Sequence, residues 1–184
     1  MQSSNDYLVK YLNTYNSLIT DPAVINNLVK IKTIFQNISK KGGKVILAGN
    51  GGSATMASHV AVDITKNAGI RAVTFNEYDL ITTLANDYGY ENWISKAIAL
   101  YHNPGDIVVL ISASGQSQNV LNAATKSKQL GLPVITFSGF NSSNPLRKLG
   151  DLNLWVDSKI YNIVEMTHHI WLLAIVDMII SNTD

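Results

Sequence analysis

Two short runs hold the residues best suited to chemistry: Gly49-Asn50-Gly51-Gly52-Ser53 and Ser112-Ala113-Ser114-Gly115-Gln116-Ser117. Each follows an apolar, β-branched stretch, Val45-Ile46-Leu47 in one case and Ile107-Val108-Val109-Leu110-Ile111 in the other. Glycine between a strand and a helix lets backbone N–H groups close around an anion, and the helix N-terminus adds a favourable dipole. Serine hydroxyls supply further donors without filling the space. Ser112, Ser114 and Ser117 are spaced to converge on one phosphate, although such a serine also serves as an ordinary helix N-cap. Neither run is a nucleotide fingerprint. Ala54 stands where a dinucleotide motif has its third glycine, and no P-loop lysine follows. Together the runs favour a phosphorylated, hydroxyl-rich ligand.

Two pairs of ionisable residues stand at i,i+4: His59 with Asp63, and Glu165 with His169, which has His168 beside it. On a helix this spacing puts both members on one face, close enough to share a ligand or simply to form a surface ion pair. His168 reads equally as a structural residue, and His102 as a solvated loop residue. Trp93, Trp155 and Trp171 read as packing residues; for Tyr88 and Tyr90, packing outweighs a contact to sugar.

The elements behind these residues follow from hydrophobic periodicity. Asn5–Ile19 and Pro22–Lys40 read as an opening helical pair, broken at Asp21-Pro22 and ended near Lys41-Gly42-Gly43. From residue 44 strands and helices alternate. The strands are Val45–Ala48, Arg71–Phe75, Ile107–Ile111, Val134–Phe137 and Leu152–Val156. The helices are Ala54–Asn67, Asp79–Ala85, Asn92–Tyr101, Asn119–Leu130 and Tyr161–Ser181. Continuous apolar strands separated by helices predict a five-stranded parallel sheet in a three-layer, doubly wound α/β domain. Ligands are then expected at the C-terminal strand ends, where both loops fall. One domain over 1–184 is expected, with helices over 1–41 and the α/β core over 44–184.

Composition narrows the class. With 46% hydrophobic and 15% charged residues, the chain is not expected to be disordered. A net charge of +1 with scattered Lys and Arg predicts no nucleic-acid partner. The absence of cysteine excludes disulfides and thiolate metal sites. No apolar run reaches the roughly 18 residues a membrane span needs, so a soluble cytoplasmic protein is the expectation. The last helix, from Ile170 through Ile179, is apolar on nearly every face and should be buried, in part against another subunit.

In their order along the chain, the helical N-terminus, Ala48–Ser53, Asn86-Asp87-Tyr88-Gly89-Tyr90-Glu91-Asn92, Gly105–Ser117 and the final helix resemble the sugar isomerase (SIS) domain, which is flavodoxin-like in fold. More narrowly they resemble the phosphoheptose isomerases, which interconvert sedoheptulose 7-phosphate and a mannoheptose 7-phosphate. The resemblance implies that Ser112, Ala113, Ser114 and Ser117 hold the phosphate, and that Asn50, Gly51, Gly52, Ser53, Asn86 and Asp87 line the sugar. It also implies zinc at His59 and Asp63, and a homotetramer with sites at subunit interfaces.

Asp63 stands where that family has glutamate, Glu165 where it has glutamine, and Leu173 where it has a proton-carrying histidine. Asp63 and Glu165 are therefore the candidate bases. His59, Asp63, Glu165 and His169 form the candidate zinc shell, with His169 substituting for the missing histidine. The leading expectation is an aldose–ketose isomerase working through an enediol on a heptose 7-phosphate. Its alternatives are a non-catalytic module that binds a sugar phosphate or a protein partner, and an isomerase of another phosphosugar.

Overall fold

Ser3 opens α1 (Ser4–Ile19) by accepting the Asp6 amide at 3.1 Å. Asp21 opens α2 (Pro22–Lys40) in the same way through the Ala23 amide, ahead of a proline at the first helical position. These helices lead, in a computed structural model that describes residues 3–181, into an alternating α/β core. The core runs β1 (Val45–Gly49), α3 (Gly52–Lys66), β2 (Ala72–Val73), α4 (Tyr78–Tyr88), α5 (Trp93–Tyr101) and β3 (Ile107–Ser112). It continues through α6 (Gln118–Gln129), β4 (Val134–Ser138), α7 (Pro145–Leu149), β5 (Leu152–Trp155) and α8 (Tyr161–Ile180).

All strand pairs are parallel, in the order β2-β1-β3-β4-β5. This is the expected doubly wound, flavodoxin-like sheet. Successive strand residues face opposite layers. Val45 and Leu47 of β1 join Val109, Ile111 and Phe137 in a core with α2, α3 and α8. Ile46 and Ala48 join Val108, Leu110 and Val134 in a second core with α4, α5 and α6. Chain direction across the sheet reverses between β1 and β3, which opens a crevice at their C-terminal ends. The two loops flank it.

At the opposite end of those strands, a fully buried Asp106 accepts the Lys44 amide at 2.9 Å, the Lys44 ammonium at 2.5 Å and the Asn103 amide at 2.7 Å. A buried carboxylate requires this much compensation.

Two expectations are corrected. The strand over Arg71–Phe75 shrinks to Ala72–Val73, because β2 is an edge strand and Phe75 turns off the sheet against Tyr101, with ring centroids 5.6 Å apart. A short helix, α7, was not anticipated; Asn144 caps it by accepting the Arg147 amide, and Pro145 starts it. α8 buries Trp171, Leu172 and Ile175 within the chain and leaves Met166, Ile170 and Ile180 exposed there, which agrees with a helix expected to be only partly buried by its own domain. By length and composition α8 is apolar enough to cross a membrane, yet half of it is buried inside the domain, where it packs as a core helix.

Candidate active site

The turn after β1 depends on two glycines. Gly51, which precedes α3, has φ 53° and ψ −123°, a combination that a side chain strongly disfavours. Gly52 lets α8 approach: a Cβ there would lie 2.6 Å from Glu165 Oε2. The glycines therefore bring the first loop against a carboxylate on the last helix. Sequence spacing alone does not show that approach.

The turn after β3 folds on itself. The Gly115 amide donates to the Ser112 carbonyl at 3.0 Å, the Ser112 and Ser117 hydroxyls are 3.1 Å apart, and the Gln116 amide reaches Ser114 Oγ at 3.3 Å. Ser117 stands at the N-cap of α6 but makes no side-chain cap bond, so its hydroxyl is turned to Ser112 instead.

Between the two loops lies a cavity of about 140 Å³, lined by Asn50, Ser53, Ile111, Ser112, Ala113, Ser114, Ser117, Tyr161 and Glu165. Hydroxyls, an amide, a phenol and one carboxylate converge there from β1, β3 and α8. Three larger depressions contain none of the loop residues: two, of about 510 and 430 Å³, flank β2, and one, of about 410 Å³, lies beside Lys128 and Asp151. The smaller cavity is the candidate site because both loops and the Glu165 carboxylate line it.

The other candidate residues lie elsewhere. Asp63 Oδ2 is 3.3 Å from His59 Nε2, and His59 Nδ1 is 3.0 Å from His169 Nε2, with the two rings nearly perpendicular at 85°. Desolvation holds the His169 imidazole below its ordinary range; the neighbouring His59 pushes the same way and Asp63 opposes. Both ring nitrogens of His59 are thus engaged by neighbours. Among the described residues no three His, Asp or Glu side chains converge as a metal shell requires. His59, Asp63, Glu165 and His169 as arranged do not fit a common zinc site.

Asn86 and Asp87 sit exposed on the last turn of α4, bonded to each other at 3.0 Å, outside the cavity of this chain. Leu173 packs against the α2/α3/α8 core. His168 is fully buried, donates to the Ser138 carbonyl at 3.1 Å, and is pushed down to about 4 by desolvation. It is a structural residue. His102, expected in solvent, is half-buried and caps α5, where its ring nitrogen reaches the Ile98 carbonyl.

The SIS domain family model matches residues 10–139, more than half of the chain. The chain belongs to the SIS domain family. A probable phosphoheptose isomerase of Thermoplasma acidophilum is 35% identical over 168 residues, covering 86% of this chain and 89% of that protein. A phosphoheptose isomerase of Burkholderia pseudomallei is 34% identical over 148 residues, covering 77% and 75%. The structure of phosphoheptose isomerase GmhA from Neisseria gonorrhoeae superposes with a TM-score of 0.85 at 25% identity, covering 94% of this chain and 95% of that one. A phosphoheptose isomerase structure from Francisella tularensis, 24% identical, shares the fold at a TM-score of 0.86, covering 99% and 100%.

Within this SIS domain, Ile111 and Tyr161 line the cavity without having been candidates, and Tyr161 is the polar one of the two. Its signal was present: Tyr161 and Glu165 are i,i+4 on α8, so a face carrying one into the cavity carries the other. Tyr90 was read as a packing residue, yet it is 56% exposed and its hydroxyl donates to Asn50 Oδ1 at 3.2 Å.

Proposed function

We propose that this SIS domain is an aldose–ketose isomerase of a phosphorylated heptose, interconverting sedoheptulose 7-phosphate and a mannoheptose 7-phosphate. The observation that carries the reading is Glu165, a carboxylate in the same small cavity as Ser112, Ser114 and Ser117. The serine hydroxyls and loop amides would anchor the phosphate and fix the sugar's reacting end. Glu165 would remove a proton from the carbon beside the carbonyl, giving an enediolate; the adjacent hydroxyl's proton would pass to the former carbonyl oxygen, and Glu165 would return its proton to the former carbonyl carbon. The naming of the relatives in Thermoplasma acidophilum and Burkholderia pseudomallei supports the same substrate class.

Glu165 is favoured over Asp63 as the base because Asp63 faces His59 rather than the serines. No step is assigned to zinc, since the candidate ligands do not converge. A homotetramer with interfacial sites remains part of the proposal. It is supported by α1, which has no buried residue and exposes Tyr7, Leu8, Val9 and Leu12, and by Ile25 and Val29 on α2. Sedimentation at the mass of four chains is expected; a monomer would refute that part.

One observation favours a second reading, a binding module without turnover: the position of the family's proton-carrying histidine is the packed Leu173. The two are separated by incubating the chain with sedoheptulose 7-phosphate in D2O and following the sugar by NMR. An isomerase yields the aldose with deuterium at the carbon beside the carbonyl. Saturable binding with neither product nor exchange would refute the isomerase and leave the binding module.

A further inference from the structure

The first loop and the start of α6 are joined by side chains that the proposed chemistry does not use. Asn50 Nδ2 donates to Asn119 Oδ1 at 2.9 Å, and Asn119 Nδ2 donates back to Asn50 Oδ1 at 2.8 Å. Asn119 is only 2% exposed, although asparagine is usually a surface residue. Exchanging oxygen and nitrogen in both amides would preserve such a closed pair, so the pair alone does not define which way either amide faces.

Val120 defines it. Its backbone N–H, shared with the Ser117 carbonyl at 3.0 Å, can only donate, and it lies 3.0 Å from Asn119 Oδ1, where the reverse orientation would set two donors face to face. That orients Asn119, and the reciprocal bonds then orient Asn50. The Tyr90 hydroxyl donates to Asn50 Oδ1 as well, at 3.2 Å. A side-chain amide has two donor hydrogens and two acceptor lone pairs. Asn50 therefore has both acceptor positions filled and one N–H engaged. The other N–H is left on a residue that lines the cavity.

We propose that Asn119 is a positioning residue: with Tyr90 it locks Asn50 so that a single amide N–H is offered to an oxygen of the sugar. The inference rests on the phosphosugar reading of the cavity. The serines that suit the phosphate come from the β3 loop, whereas Asn50 enters from the β1 loop. The oxygen that Asn50 meets is thus a carbonyl or hydroxyl oxygen of the chain of carbons. If it is the carbonyl, a fixed N–H stabilises the charge that develops there as the neighbouring proton leaves. The reverse amide orientation would present a carbonyl and repel the same oxygen.

The test compares affinity for sedoheptulose 7-phosphate with affinity for inorganic phosphate, by calorimetry on the full chain, alongside turnover. Asn119→Ala is expected to weaken the sugar phosphate about tenfold, the worth of roughly one hydrogen bond, and to leave inorganic phosphate within about twofold. Asn50→Ala should show the same loss, and the double variant no more than either alone, because Asn119 acts through Asn50. Tyr90→Phe changes an exposed side chain and keeps folding out of the question; a sugar-specific loss of about threefold is expected. Additive losses in the double variant, equal losses for both ligands, or wild-type sugar affinity in Tyr90→Phe would overturn the assignment. Wild-type chain that binds the sugar without converting it overturns only the isomerase reading. Normal turnover without the sugar-specific pattern overturns only the role of Asn119.

Discussion

The loop after β3 delivers Ser112, Ala113, Ser114 and Ser117 to the cavity from one short run of chain. The contact between His59 and His169 joins residues 110 positions apart. The first needs only a strand end, a glycine and a helix start. The second needs α3 and α8 to pack in one register, and it changes with any residue along either face. That difference makes the serines of the β3 loop readable from a local run of sequence, whereas the surroundings of Asp63, Glu165 and Leu173 depend on how α3 and α8 pack. An anchor is a backbone property here; the proton-transfer set is a packing property.

The division breaks most readily at Glu165. Glu165→Gln should lower turnover about a thousandfold while affinity for inorganic phosphate stays within about twofold. Retained turnover would move the base to Asp63 and return chemistry to the α3–α8 contact. The next largest effect concerns His168, which ties α8 to the end of β4. Its pKa is about 4 when folded against an ordinary 6.5. A lowered folded value means that the unfolded chain takes up the proton first as pH falls. Stability is therefore intact above pH 6.5 and is lost as pH falls toward 4, by about 3 kcal/mol. Denaturant midpoints across that range should show the loss, and His168→Phe should flatten it.

Smaller changes sharpen the comparison further. Ser112→Ala and Ser117→Ala should each weaken phosphate binding about tenfold with little effect on the turnover of bound substrate, which calorimetry and saturation kinetics separate. If turnover falls instead, the serines belong to the reacting side. The smallest effect is expected from Asp63→Asn, and from chelation of metal: turnover within about threefold in both cases. A loss restored by added zinc would show that His59 and His169 part to admit an ion.

Much of this was legible in the sequence. The strands of the sheet interior are unbroken apolar runs, and both loops announced themselves by Gly and Ser at strand ends. β2 was overread because Thr74 and Phe75 are strong strand formers, whereas at an edge the pairing partner decides. α7 was missed because five residues carry too little periodicity, although Asn144-Pro145 is a helix start. Glu165 was found as a candidate, but its meeting with Gly52 was not, since no local pattern encodes the approach of α8 to the first loop. Asn119 escaped notice for the same reason: its partner lies 69 positions away.

The Lys44–Asp106 pair sits at the end of β1 and β3 farthest from the two loops, and its consequence is mechanical. Those two strands are also in register from Val45 opposite Ile107 to Gly49 opposite Ile111. Riveted at the base and laddered along their length, they behave as one plank that carries both loops on its far edge. The gap between the loops is therefore set by the scaffold before any sugar arrives. On the proposed function, a sugar phosphate would be measured against that spacing, and its length would decide whether its first carbons reach Glu165.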